Sequence, residues 1–127
     1  MKPATASTQS VAERLQVKGD RRVAALNGPL GLSDTLAGER GRATAEEAEV
    51  VVLFVKDRAE LDLLLPDAVA AIRPDAILWL AYPKLTSSLA GDLNRDVVHT
   101  VTLGMGLKTV TQIALDHDWS AMRLKRL

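Results

Sequence analysis

Polar side chains and one glycine gather where three predicted strands end and where the next helix begins. These candidate ligand-binding residues are Asn27, Gly28, Lys56, Asp57, Tyr82, Lys84, Asp92 and Asn94. Because ligands of open parallel sheets lie beyond the carboxyl ends of the strands, we expect these residues to border one site. Lys56 and Lys84, with the amino terminus of a helix that starts at Asp57, would suit a small anion.

Each of these residues also has a structural interpretation, and the sequence leaves the choice open. Asp57 and Asp92 have the positions of helix caps, whereas Asn27 and Gly28 suit a tight turn. Lys56 would then be a solvated surface charge.

Metal and nucleophile chemistry finds little support in the composition. The chain has two histidines, His99 and His117, and no cysteine. Asp116, His117 and Asp118 are adjacent on one predicted turn, and adjacent residues rarely converge on one ion. We therefore predict turn chemistry there, no metal site and no catalytic residue, and the sequence identifies no cofactor.

A strand, helix, strand unit over Glu49–Lys84 must position the candidate residues. The runs Glu49–Val55 and Ala76–Ala81 are almost continuously apolar and rich in branched side chains. Strands of that kind are buried on both faces, which is typical of a parallel sheet covered by helices.

Capping signals predict the helices on either side of the second of these strands. Asp57 and Glu60 form a capping box, and leucines follow on one stripe until Pro66, where we expect a kink or a restart. Asp92 is predicted to cap a helix that runs to Leu103, with Gly104 as its left-handed terminal residue.

The first part of the chain predicts shorter elements. A capping box at Ser10–Glu13 begins a helix, and Arg21–Leu26 reads as the first strand. Ser33–Leu36 predicts a brief helix. The glycine-punctuated Gly38–Ala45 segment has room for a short edge strand at most.

The last segment alternates in polarity on both sides of Asp116-His117-Asp118, which predicts a hairpin. One of its strands must run antiparallel to the rest of the sheet. We expect that strand at an edge, where Arg123, Lys125 and Arg126 would discourage aggregation.

Composition excludes several broad classes. The chain has 127 residues, enough for one domain with a core, and 47% of them are apolar. Sixteen basic residues balance sixteen acidic ones, so no overall field favours nucleic acid or an anionic membrane. No apolar run approaches the ~20 residues that span a bilayer, and we expect a soluble cytoplasmic protein without a membrane partner.

Several motifs carry a family resemblance over Val11 to about Arg126. They are Leu26-Asn27-x-Pro29, Leu64-Leu65-Pro66, Tyr82-Pro83-Lys84, Asp92-Leu93-x-x-Asp96 and Asp116-x-x-Trp119-Ser120. The chain resembles a family of short bacterial proteins of unknown function. Its second half is also similar to the second half of class I S-adenosylmethionine methyltransferases, which implies their fold and not their activity.

In that superfamily a glycine-rich turn after the first strand approaches the cofactor, and an acidic residue after the second strand holds the ribose. Here Pro29 removes an amide donor between Gly28 and Gly31. The segment Gly28–Glu47 is long enough for one crossover and not for two. Most of the adenosine-binding half is therefore expected to be missing.

We predict a disordered tail over residues 1–9 and a single α/β domain over residues 10–127. Its fold class is a three-layer, Rossmann-like parallel sheet, a truncated methyltransferase-like fold, with a C-terminal antiparallel hairpin. The leading hypothesis is a non-catalytic module for a small anionic or nucleotide-like ligand, or for a protein that contacts the sheet edge. The alternative is an enzyme with S-adenosylmethionine- or nucleotide-dependent chemistry, completed by a homodimer.

Overall fold

The computed structural model describes residues 14–15, 21–37 and 43–127. In the described ranges the predicted α/β architecture is present, with five strands and three helices of defined bounds. In chain order these are β1 (Val23–Leu26), α1 (Leu30–Ala37), β2 (Val50–Phe54), α2 (Arg58–Ala71), β3 (Ile77–Pro83), α3 (Arg95–Gly104), β4 (Leu107–Ala114) and β5 (Trp119–Arg126).

The strands form one mixed sheet in the order β1-β2-β3-β5-β4. β1, β2 and β3 are parallel, as predicted, and all five residues of β2 are buried. The hairpin of β4 and β5 is confirmed, and β5 pairs antiparallel with β3. The antiparallel strand is not at an edge, however, because β5 lies between β3 and β4. The edge prediction for Arg123, Lys125 and Arg126 was therefore wrong.

Helices cover both faces of the sheet and produce the predicted three layers. On one face, Leu61 and Leu65 of α2 and Val98 of α3 pack on alternate residues of the central strands. On the other face, Leu36 of α1 and Leu15 pack on the remaining residues of those strands. The buried Trp79 indole donates a 3.0 Å hydrogen bond to the Leu15 carbonyl and fixes that segment on the sheet.

Pro66 lies inside a continuous helix, so the helix does not restart there. α2 runs from Arg58 to Ala71 through Pro66. The proline lacks the amide that would bond the Asp62 carbonyl, but both residues are exposed, so water can satisfy that oxygen. Burial of Leu61 and Leu65 holds the helix across the missing bond.

The predicted N-cap of α3 and the predicted left-handed residue after it are each two positions too early. Asn94, and not Asp92, is the N-cap, because its side chain accepts a 2.9 Å bond from the Val97 amide. Gly104 is the last helical residue, and the left-handed position is Gly106, with φ 82°. The side chain of Asp92 is used at another helix, as described below.

Some predictions concern residues that lie outside the described ranges. These are the tail over residues 1–9, the capping box Ser10–Glu13 and most of Gly38–Ala45. Residues 45–47 form a turn, and the Ala43 amide donates a 2.8 Å bond to the Val23 carbonyl. None of the helices in the described part of the chain has the length and apolar character needed to cross a bilayer.

Candidate functional site

The turn after β1 is held by the side chain of Asn27. Its backbone is left-handed, with φ 61°, a conformation that asparagine tolerates better than most residues. The Asn27 amide donates to the Phe54 carbonyl at 3.0 Å and to a Glu60 carboxylate oxygen at 3.4 Å. Asn27 therefore joins the ends of β1 and β2 to the first turn of α2.

Gly28 is required by the packing of this turn. A Cβ atom on Gly28 would lie 2.5 Å from Cδ1 of Phe54 and 2.8 Å from the hydroxyl of Ser33. Both neighbours are buried. The tight-turn interpretation of Gly28 thus has a direct structural reason, and the close neighbour is the protein's own core.

The amino terminus of α2 is occupied by carboxylates of the chain. Asp57 accepts a 2.9 Å bond from the Glu60 amide, and Glu60 accepts a 2.8 Å bond from the Lys56 amide, which confirms the capping box. Asp92 accepts a 2.8 Å bond from the Arg58 amide. Because these amides already have anionic partners, the expected contribution of this helix end to an anion site is not available.

One cavity of about 370 Å³ lies at the carboxyl ends of the three parallel strands. We call it the Trp119 cavity, and its lining residues are Asn27, Gly28, Pro29, Lys56, Glu60, Pro83, Leu89 and Trp119. The Trp119 ring packs edge-on against Phe54, with ring centroids 5.0 Å apart. The Lys56 ammonium lies at the mouth, 4.0 Å from a Glu60 oxygen, and its side chain is 68% exposed.

A second cavity, of about 260 Å³, lies beside the amino terminus of α3. We call it the Tyr82 cavity, and its lining residues are Tyr82, Lys84, Leu85, Thr86, Asn94, Arg95, Gln112 and Ser120. Burial raises the pKa of the Tyr82 hydroxyl, and the positive charge of Arg95 opposes that rise. The hydroxyl is therefore a protonated donor at neutral pH.

The predicted site residues consequently separate into three groups. Asn27, Gly28 and Lys56 line the Trp119 cavity; Tyr82, Lys84 and Asn94 line the Tyr82 cavity; Asp57 and Asp92 cap α2.

The predicted site residues did not include Pro29, Glu60, Pro83, Leu89 and Trp119 of the first cavity or Leu85, Thr86, Arg95, Gln112 and Ser120 of the second. Arg95 had a signal, since it directly follows Asn94. Ser120 needed the strand register, which places it opposite Tyr82.

The Asp116-His117-Asp118 segment forms the predicted turn. An Asp116 oxygen accepts from the amides of Asp118 and Trp119, each at 2.8 Å. Asp118 accepts a 2.7 Å bond from the Ser87 hydroxyl. Within the described ranges, no group of histidine and acidic side chains has an arrangement that could hold a metal ion.

The comparisons with known proteins agree with this architecture. The family model described as a protein of unknown function (DUF3052) matches residues 33–127. A solved structure of ribosomal protein L11 methylase from Lactobacillus delbrueckii subsp. bulgaricus is similar, with a TM-score of 0.59 and 12% sequence identity over 91% of this chain and 74% of that chain. No match is found among curated proteins. Both resemblances inferred from the sequence are confirmed, and the second concerns the fold alone.

Proposed function

This chain belongs to the DUF3052 family of proteins of unknown function, and we propose from its own geometry that it is a non-catalytic module that binds a small organic ligand. The ligand lies in the Trp119 cavity. The observation that carries the proposal is that the ends of β1, β2 and β3 meet at one cavity of a size typical of small-molecule sites.

The polar groups of the Trp119 cavity support binding more than catalysis. The amide of Asn27 is bonded to Phe54 and Glu60, and Glu60 also accepts from the Lys56 amide. A general acid or base needs a group that is free to exchange a proton with the substrate. These groups instead hold the β1 turn and the first turn of α2 in place.

The walls of the cavity define the class of ligand. Trp119, Pro83, Pro29 and Leu89 offer apolar surface against which a flat ring can pack. Lys56 has its ammonium at the mouth, where it would pair with an anionic group of the ligand. A small molecule with a planar ring and one anionic substituent satisfies both features, and nucleotides belong to that class.

A thermal-shift screen with matched variants tests this proposal. The probes are S-adenosylmethionine, its demethylated product and nucleoside mono-, di- and triphosphates. Leu89→Asp places a charge on the apolar wall, and Lys56→Ala removes the cation; both positions are exposed, so both variants should fold. Lys84→Ala is the control, because Lys84 lines the Tyr82 cavity instead.

A ligand at 100 times its dissociation constant should add about 2.7 kcal/mol to the free energy of unfolding. For S-adenosylmethionine and its demethylated product, which contain no phosphate, we expect Leu89→Asp to abolish that gain, Lys56→Ala to reduce it and Lys84→Ala to retain it. If no probe stabilises the protein, or if Lys84→Ala loses the gain as completely as Leu89→Asp, the Trp119 cavity is not the ligand site.

An enzyme is the second candidate, and the methyltransferase-like fold favours it. Against it, the described part of the chain between β1 and β2 contains one helix, α1, and no strand, so the usual partner strands of a cofactor site are absent there. A homodimer would have to supply them. Analytical ultracentrifugation with and without S-adenosylmethionine tests this hypothesis. A dimer that the cofactor stabilises would support the enzyme hypothesis, and a protein that stays monomeric in the presence of the cofactor would contradict it.

A further inference from the structure

The hydroxyls of Tyr82 and Ser120, two largely buried residues that line the Tyr82 cavity, have no hydrogen-bond partner in the described part of the chain, and neither hydroxyl is sealed from solvent. Tyr82 is 3% exposed and Ser120 is 6% exposed. The two residues are directly opposite in the β3 and β5 pairing, so their side chains lie on the same face of the sheet. Both hydroxyls therefore remain free to donate at the cavity, where an acceptor oxygen of a ligand can bond them in place of water.

The walls of the same cavity carry positive charge without a neighbouring acid. Lys84 and Arg95 line it, and none of the described aspartates and glutamates does. Neither side chain forms an ion pair with a described residue, whereas Lys56 at the Trp119 cavity faces Glu60. The Tyr82 cavity therefore has an unbalanced charge of a kind that attracts an anion.

The remaining polar groups add donors around this charge. The Asn94 oxygen is bonded to the Val97 amide, which leaves the amide nitrogen of its side chain available to donate. Gln112 lies opposite Met122, and Met122 packs on the same face of the sheet as Tyr82. The Gln112 amide can therefore reach the cavity from β4.

We propose that the Tyr82 cavity binds a phosphate-type oxyanion, either free or at the end of a small organic molecule. Such a group offers several acceptor oxygens and matches a cavity of hydroxyl, amide, ammonium and guanidinium donors. Arg95 and Lys84 neutralise its charge, and Tyr82 and Ser120 donate from below. The volume of about 260 Å³ leaves room beside the anion for a small substituent.

This site is separate from the Trp119 cavity. Tyr82 and Pro83 are consecutive in β3, so their side chains lie on opposite faces of the sheet, and each lines a different cavity. The oxyanion site consequently does not depend on the function proposed above. Either site can fail its test while the other stands.

Calorimetric titration at constant ionic strength tests the proposal, with inorganic phosphate, a nucleoside monophosphate and the matching uncharged nucleoside as probes. Tyr82→Phe keeps the ring and removes the hydroxyl, and Arg95→Gln removes the charge at an exposed position. Lys108→Ala is the matched control, because it removes an exposed cation that lines neither cavity. Thermal unfolding of each variant establishes that it is folded.

We expect phosphate to bind the parent protein and each of Tyr82→Phe and Arg95→Gln to weaken binding about tenfold, as is usual when a charged hydrogen bond is lost. Lys108→Ala should leave the affinity unchanged. In Leu89→Asp, which blocks the Trp119 cavity, tighter binding of the monophosphate than of phosphate identifies an organic phosphate, and equal binding identifies the free ion. Absence of phosphate binding, equal binding of the uncharged nucleoside by Leu89→Asp, or equal losses in all three variants would overturn the proposal.

Discussion

The carboxylate of Asp92 accepts a 2.8 Å hydrogen bond from the backbone amide of Arg58, which lies 34 positions earlier in the chain. Arg58 is the first residue of α2, so its amide has no partner within the helix. Asp92 belongs to the loop before α3. This one bond therefore joins two successive crossover segments at the carboxyl rim and places a negative charge at the positive end of α2.

Replacement of Asp92 should destabilise the fold by an amount similar to that for the loss of a helix N-cap. Asp92→Ala is expected to lower the free energy of unfolding by roughly 0.5–2 kcal/mol, because the Arg58 amide loses its anionic acceptor. Urea denaturation followed by circular dichroism measures this change. Asp67→Ala is the control, since Asp67 is exposed on α2 and its side chain accepts no hydrogen bond in the described ranges. Equal stabilities of the two variants would contradict the capping role.

Pro66 should limit the stability of α2. Pro66→Ala is expected to raise the free energy of unfolding by roughly 1–3 kcal/mol, because the new amide can bond the Asp62 carbonyl. The unfolded chain gains conformational entropy when the proline is removed, and this offsets only part of the increase. Pro74→Ala is the matched control. Pro74 occupies a turn closed by the 3.0 Å bond from the Ala76 amide to the Arg73 carbonyl, so its replacement should give no gain. If both variants behave alike in urea, the helical proline is not the cause.

The elements that depend on local signals could be predicted from the sequence. β2 and β3 follow from their apolar runs, and the start of α2 follows from the Asp57 and Glu60 capping box, because adjacent residues determine these features. The hairpin could be predicted from the alternation of polar and apolar residues on both sides of a turn. In that turn the Asp116 side chain accepts hydrogen bonds from the amides of Asp118 and Trp119.

The composition of the site could not be predicted in the same way, because it depends on distant contacts. Asn27 and Glu60 are 33 positions apart, and Asp92 and Arg58 are 34 apart. Lys56 and Lys84 both follow strands, yet each lines a cavity on a different face. Successive side chains of a strand point to opposite faces of the sheet, so an error of one residue places a side chain on the wrong face. The assignment of each residue to one of the two cavities therefore requires the strand register, which the hydrophobic pattern alone does not give.

Acid should weaken the link between β1 and β2 through Glu49. A Glu49 oxygen accepts a 2.9 Å bond from the Arg22 amide, and this bond, assisted by the charges of Arg73 and Arg22, lowers the pKa of the carboxyl below its ordinary value of 4.5. A carboxyl whose pKa is lower in the folded state stabilises the fold above its unfolded pKa. That contribution is lost as the pH falls through the lowered value.

The comparison of the parent protein with Glu49→Gln isolates this effect. The variant keeps the shape of the side chain and removes its charge, so the parent should be the more stable at neutral pH. Glu47 also has a lowered pKa, from hydrogen bonds to Thr44, but it is present in both proteins and cancels. Urea titrations from pH 7 downward should show a constant difference that shrinks below about pH 4.5. A difference that persists unchanged in stronger acid would refute the assignment.

Gly28 and Gly31 form a matched pair that separates packing from ligand approach. A Cβ at Gly28 would enter the contact surface of Phe54 and Ser33, at 2.5 and 2.8 Å, whereas a Cβ at Gly31 would meet nothing within 4 Å. Gly28→Ala should therefore lower the free energy of unfolding by roughly 1–3 kcal/mol. Gly31→Ala, within α1, should leave it unchanged or raise it by up to about 1 kcal/mol.

The reason for the asymmetry is that Phe54 cannot retreat. Its ring is fully buried and packs against Trp119, so an atom added at Gly28 must push on the wall shared by the core and the Trp119 cavity. Urea denaturation gives the stabilities, and the ligand screen can be repeated on both variants. If Gly28→Ala is as stable as the parent but loses ligand stabilisation, the glycine serves the approach of a ligand and not the packing of Phe54. A destabilised Gly28→Ala beside a stable Gly31→Ala would establish the packing role, because the two substitutions differ in what the new methyl group meets.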